Sequence, residues 1–398
     1  MAKQTYDNII RESPKAIRKF LRFHWNSSPK EAMHLVGEPS TVKSTFVEWE
    51  SRDIAKDEGR EFLEWNRASL EIKNDALEHP EKYFLYADLR AAETEIGEQR
   101  LQDMQNGKPY ITFKYNLLFV VMSKAEAKGV LFLDELNNAP NMTKMQFYKL
   151  INDRAIGDLP LGDGILVISA GNETEHAVGV TEDPVPLVLR RANYFIRPPT
   201  AEEFVDYAVQ AGLHQWITGY VALAPQDVHN VKYDLVNPVG QPCSRTWTKL
   251  SNVLNANEGM AMGKLGTEDA GVRAVAYAYL GAVGEKFCAY VETAKKVNID
   301  QIIANPKLVL ELKDELSLLY AVTTGVIEKY RTSTGKRKDE VTDAALEISL
   351  LVREEMGVFM MRQIKSLDSA TWNKKVVAHP KFKGEFTKKY AKYFFATD

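Results

Sequence analysis

Five apolar runs punctuate the first half of the chain: EAMHLVG at 31–37, YFLYADLR at 83–90, VLFLDEL at 130–136, ILVISAGN at 165–172 and NYFIRPP at 193–199. They are nearly continuous rather than alternating, the pattern of strands buried on both faces. Between them lie stretches of helical period: KSTFVEWESRDIAK (43–56), NLLFVVMSKAEAKG (116–129), predicted to break at Gly129, and TKMQFYKLINDRAIG (143–157). Ser13 followed by Pro14 marks a helix start for residues 13–26. The charged stretch 57–82 reads as an insertion or a surface helix. Strands alternating with helices predict an α/β fold, a parallel sheet covered on both faces.

After Pro199 the strand signal fades. Thr200 and Glu203 form a Thr-x-x-Glu capping box, and the pattern from there to Asp398 is helical, broken at 237–244 and 331–340. An α/β domain over 1–199 followed by a helical half is the expected organisation.

Composition narrows the class. The 398 residues are 45% hydrophobic and 26% charged with a net charge of −3, so nothing demands nucleic acid or a membrane surface. Two cysteines, Cys243 and Cys288, make no disulfide framework and fit a reducing compartment. The N-terminal residues lack an apolar signal core, and no uncharged run approaches the roughly 18 residues of a spanning helix. A cytoplasmic protein without membrane insertion is expected. The histidines show no paired ligand spacing and no nucleophile elbow is present, so neither a structural zinc nor a serine hydrolase is expected.

The segment HLVGEPSTVKST (34–45) carries the first chemical signal. It matches a phosphate-binding loop, G-x-x-x-x-G-K-[ST], with Val42 at the second glycine. Gly37, Glu38, Pro39, Ser40, Thr41, Val42, Lys43, Ser44 and Thr45 are the candidate cradle. Lys43 would reach the β- and γ-phosphates, and Ser44 would offer its hydroxyl to Mg²⁺. Taken by itself the stretch is also compatible with an ordinary strand-to-helix turn. Asp134 and Glu135 end the third apolar run, at the carboxyl edge where open α/β sheets bind ligands. There an acid can hold a metal through water, and a neighbouring glutamate can polarise an attacking water. Asn172 ends the next run and can position water.

These segments, with PLVLRRANYFIRPPTAEEF and PCSRTWTKLS, occur in an order and spacing that resembles the AAA+ ATPases, most of all their MoxR and dynein-related branch, over about residues 30–260. The resemblance implies a P-loop NTPase sheet, a helical lid over 200–298 and a helical C-terminal extension over 299–398. It implies ATP and Mg²⁺ as cofactors, with Asp134 supporting the metal, Glu135 as catalytic base and Asn172 as first sensor. Arg190, with Arg191 as the competing choice, stands where the family places a finger reaching into the neighbouring subunit, and Arg245 matches the second sensor. A homo-oligomer, a hexameric ring by family habit, would remodel a protein substrate or a partner with a von Willebrand A-type domain.

The loop departs from the family form G-E-P-G-x-G-K-[ST] at Ser40 and Val42. A β-branched residue resists positive φ, so keeping the usual backbone would cost roughly 1–3 kcal/mol. Binding would then weaken roughly ten- to a hundredfold. Two readings follow: a nucleotide-hydrolysing protein, or a nucleotide-gated or nucleotide-free scaffold. A nucleic-acid motor or loader is a third. The tail at 373–395 has seven lysines against one glutamate but no arginine cluster, so nucleic acid is not an expected partner.

Overall fold

The computed structural model describes residues 9–90, 97–102, 110–173, 183, 185–232, 239–258, 270–380 and 382–394. Residues 237–238 of the expected break, and Lys381 and Phe395 of the basic tail, lie outside them. The chain divides into two compact units, Met1–Pro198 and Pro199–Asp398.

The first unit runs β1 (Arg11–Glu12), α1 (Ala16–Ser27), β2 (Met33–Gly37), α2 (Lys43–Asp57), β3 (Glu61–Glu64), α3 (Leu70–Glu78), β4 (Tyr83–Arg90), β5 (Gly97–Gln102), β6 (Tyr110–Tyr115), α4 (Leu117–Met122), β7 (Lys128–Asp134), α5 (Asn141–Asp153), β8 (Ala155–Ile156), β9 (Leu159–Pro160), β10 (Gly164–Gly171), α6 (Val185–Val188) and β11 (Ala192–Ile196). Seven strands form one sheet in the order β1-β11-β2-β10-β7-β4-β3, and every pairing in it is parallel. β5 with β6 and β8 with β9 are separate antiparallel hairpins.

Alternate residues of each strand feed two cores. From β7, Val130 and Phe132 face α1 and α2, where Ile17, Leu21, Val47 and Ile54 are buried. Leu131 and Leu133 face α4 and α5, against Phe119, Phe147 and Leu150. Each such side chain contributes about 1.5–3 kcal/mol by leaving water, which is why the runs read as continuous rather than alternating. The sheet and its two helical layers are the P-loop NTPase fold class expected from the sequence.

Three local expectations change. The charged stretch 57–82 is not simply a helix: it supplies edge strand β3 as well as α3. Phe62 stacks towards Phe84 and Tyr86 on one face while Leu63 is buried on the other, so four residues suffice for an edge strand. Helix α4 stops at Met122, and Gly129 lies inside β7, where a Cβ would come within 2.1 Å of the Leu85 carbonyl oxygen. Its glycine serves a close strand approach rather than a helix break. Helix α5 ends at Asp153; Arg154 takes a left-handed conformation and donates from Nη2 to the Gly162 and Ile165 carbonyls, both at 2.8 Å, and the β8–β9 hairpin follows.

The second unit is helical in its described residues: α7 (Ala201–Gln210), α8 (Gln215–Leu223), α9 (Ser244–Glu258), α10 (Ala270–Leu280), α11 (Ala282–Ala294), α12 (Ile299–Ala304), α13 (Leu316–Thr332), α14 (Gly335–Leu351), α15 (Glu354–Leu367) and a terminal helix Thr387–Phe394. The capping box is formed: Thr200 N–H donates to Glu203 Oε2 at 2.8 Å and Glu203 N–H to Thr200 Oγ1 at 3.3 Å. Helices on both sides of residue 298 share one hydrophobic core, from Phe204 to Tyr390. Buried Asp227 accepts from the Tyr220 hydroxyl at 2.7 Å, beside an aromatic cluster of Tyr220, Trp247 and Phe287.

Candidate functional site

The site is built where the sheet changes direction. The chain leaves β2 towards the β3 edge and leaves β10 towards β11 on the other side, which opens a crevice at the carboxyl ends of these neighbours. Register brings the candidate residues level there. Gly171 pairs with Val36, so Asn172 follows opposite Gly37; Ser169 pairs with Leu133, which sets Gly171 opposite Glu135. The loop strand and the acid strand both neighbour β10, so their ends are roughly 10 Å apart.

Gly37 closes β2, and a Cβ on it would come within 2.3 Å of the Ile196 carbonyl oxygen on β11. The loop then curls through two positive φ values, 66° at Ser40 and 54° at Val42. These are the positions where the family pattern has glycine, and the glycine-type backbone is retained by a serine and a valine. Val42 is half-buried against the α1–α2 core and is the N-cap of α2, with φ 54° and ψ 26°. Alternating backbone handedness of this kind turns successive N–H groups into a concave anion nest. Glu38 and Pro39 form the outer arm of the curl.

Lys43, buried in the first turn of α2, folds into that curl. Its ammonium donates to the Gly37 carbonyl, the Glu38 carbonyl and Thr41 Oγ1, each at 3.1 Å. Thr41 is buried and donates to the Glu38 carbonyl at 2.9 Å, bracing the curl. Ser44 and Thr45 follow, partly exposed, at the positive end of the helix.

Asp134 is the last residue of β7, and its Oδ1 accepts the Glu135 N–H at 3.0 Å. That bond accompanies a left-handed Glu135, φ 55° and ψ 36°, turning the chain sharply after the strand. Asp88, near the end of β4, was not singled out by sequence. Burial, then the carboxylates of Asp134 and Glu48, push its carboxyl up to about 7. Its only sequence signal is an acid inside an otherwise apolar run.

Asn172 is held by its backbone. Asn137, buried, accepts the Asn172 N–H at 3.2 Å and donates to its carbonyl at 2.5 Å. Gly171 admits that side chain, since a Cβ there would lie 2.9 Å from the Asn137 amide. Lys144, also buried, donates to the Asn137 carbonyl at 2.7 Å.

The arginine pair separates into two environments. Arg190 is exposed on the turn after α6, beside Leu189, which is 79% exposed. Arg191 is interior and ion-paired with Asp183. Tyr148 donates to the same carboxylate at 3.4 Å, and His34 Nε2 lies 3.9 Å from it. His34, buried on β2, has Nδ1 2.8 Å from Ser169 Oγ; burial, then the positive charges of Arg191 and Lys43, hold its pKa well below the ordinary value. Arg245 belongs to the second unit, exposed in the first turn of α9.

Among the described residues no group of acids, histidines or cysteines forms a preassembled metal site, and no helix is long and apolar enough to cross a membrane. Ser44 Oγ and the Asp134 carboxylate supply oxygen donors suited to Mg²⁺, which ordinarily keeps several waters and borrows ligands from phosphate.

The fold defines a P-loop NTPase sheet. No protein-family model and no curated protein matches the sequence. Solved structures similar to parts of it include a candidate ATPase from Cytophaga hutchinsonii, 15% identical, covering 61% of each chain at a TM-score of 0.30. The ORC2 protein of Aeropyrum pernix, in its ADPNP–ADP complexes, is 10% identical and covers 92% of this chain and 98% of its own at 0.35. NtrX from Brucella abortus in complex with ATP is 12% identical and covers 96% of this chain and 69% of its own at 0.28. The chain thus spans about three fifths of the first of these proteins, 61%. The order and parallel pairing of the seven strands define the fold.

Proposed function

We propose that this chain binds and hydrolyses ATP with Mg²⁺ as a ring-forming, cytoplasmic homo-oligomer of MoxR type, and that turnover remodels a partner protein. The supporting observation is the loop: a glycine-type curl is kept at Ser40 and Val42, with the Lys43 ammonium folded into it. In this reading phosphate oxygens replace the carbonyls that Lys43 now contacts, and the N–H groups of the curl take the remaining charge. Ser44 and Asp134 would hold Mg²⁺, which would supply charge neutralisation at the phosphates. Glu135 accepts the proton of the attacking water, and Asn172 orients that water. Arg190 acts in trans, because it is the exposed member of its pair; such a finger is worth about 10³–10⁵ in rate. By the family resemblance alone, Arg245 would be the second sensor. A hexamer and a von Willebrand A-type partner follow from the family resemblance alone.

The test is steady-state ATP hydrolysis with Mg²⁺ over a range of protein concentration. Turnover per chain should rise with concentration and vanish in Lys43→Ala and Glu135→Gln. The φ of Val42 favours a second reading, a scaffold that has lost turnover. An inert parent that nevertheless assembles, with activity appearing only in Val42→Gly, would select it.

A further inference from the structure

The exposed arginine turn is tied down by its buried neighbour. Arg191 pairs through Nη2 with Asp183 and donates from Nε to Asn193 Oδ1 at 3.1 Å. Asn193 in turn donates from Nδ2 to the Val188 carbonyl at 2.8 Å and to the Arg191 carbonyl at 3.0 Å. Those two carbonyls bracket Leu189 and Arg190. Val188, Leu189 and Arg190 are exposed, so interior packing of their side chains does little to hold the turn.

We infer that Asp183 is a positioning residue for Arg190: a buried carboxylate that fixes Arg191, and through Arg191 and Asn193 sets the direction in which the neighbouring arginine projects. The inference rests on the reading that Arg190 completes a second subunit's site. The groups around Asp183 support it. Arg191 supplies a guanidinium from the turn before β11 and Tyr148 a hydroxyl from α5, so one anion ties the two elements together. His34 Nε2 on β2 lies 3.9 Å from the same carboxylate. A planar guanidinium pinned at two edges transmits orientation in a way a flexible ammonium does not.

Asp183→Asn keeps the shape and removes the charge. It is expected to lower kcat about a hundredfold, the usual consequence of a misplaced reacting group, and to leave nucleotide Kd within about threefold. Combined with Arg190→Ala it should cost nothing further, because both changes remove the same contribution. Mixed with Glu135→Gln chains, which keep an intact turn, Asp183→Asn chains should regain turnover; mixed with Arg190→Ala chains they should not. Asn193→Ala leaves the Asp183–Arg191 pair in place, and it carries the same measurements if Asp183→Asn does not fold. Unchanged kcat in an active parent background, additive loss with Arg190→Ala, or absence of recovery with Glu135→Gln chains overturns the inference alone. A parent that binds ATP and never hydrolyses it, at any concentration, overturns the ATPase reading and the inference with it.

Discussion

Asn137 and Asn172 are joined by two hydrogen bonds, the Asn137 side-chain amide accepting from the Asn172 N–H at 3.2 Å and donating to its carbonyl at 2.5 Å. One side chain therefore replaces the strand partner that β10 loses at its end, and it fixes the residue proposed to orient water. Asn137→Ala strands two backbone groups at a cost of about 1–3 kcal/mol. The expected result is a lower urea midpoint, with kcat falling more than nucleotide affinity. Equal losses in both would mean that the loop, not Asn172, depends on this clamp.

Val42→Gly removes positive-φ strain of about 1–3 kcal/mol but also a half-buried side chain, and it adds the backbone freedom of glycine. These terms oppose one another, so stability should stay within about 1 kcal/mol of the parent. The positive-φ curl is already in place with valine, so its strain is common to the free and bound states, and ATP affinity should stay within about threefold. Calorimetric unfolding and nucleotide titration check the two halves separately.

A buried histidine and a half-buried aspartate give stability pH dependences of opposite sign. His34 is depressed in the folded state, so the unfolded chain binds more protons and stability is lost as pH falls below about 6.5. Asp88 is raised to about 7, so its contribution is present at low pH and is lost as pH rises from about 4 through 7. Each slope reaches at most about 1.4 kcal/mol per pH unit. Urea unfolding at pH 5 and 7.5 should show His34→Asn less acid-sensitive than the parent, and Asp88→Asn relatively stabilised at the higher pH.

Glu50 of α2 is buried and receives Arg18 Nε at 2.7 Å and Arg22 Nε at 2.6 Å from α1. Both arginines remain about one third exposed. Water therefore screens the pairs, and Glu50→Gln should cost about 2 kcal/mol rather than the larger penalty of a fully buried pair. A change below about 0.5 kcal/mol in the unfolding free energy from urea denaturation would mean that α1 is held by its buried apolar face, Ile17, Leu21 and Trp25, and not by these pairs.

The elements read most easily from the sequence are those whose residues are buried on both faces. β2, β7 and β10 are apolar at nearly every position, and the short continuous runs between helical stretches mark them. β3 escaped notice because Glu61 and Glu64 flank only two apolar residues, and β1 because it has two residues in all. The β5–β6 hairpin, GEQRLQ against YITFKY, has too mixed a polarity to announce itself. At the candidate site, Asp134 and Asn172 stand out because each ends an apolar run, and Lys43 because it follows the loop after one. Asn137, Asp183 and His34 act through contacts distant in sequence, which no local pattern encodes. The choice between Arg190 and Arg191 is likewise one of burial, and adjacent arginines look alike in a string.

The most direct test is equilibrium binding of ATP with Mg²⁺ to the purified chain, beside Lys43→Ala. The expected result is saturable binding by the parent that weakens at least about a hundredfold in the variant, because a buried ammonium inside the curl has no substitute. A parent that binds no ATP, or binds it equally well without Lys43, would contradict the claim that the loop from Gly37 to Thr45 is a phosphate cradle.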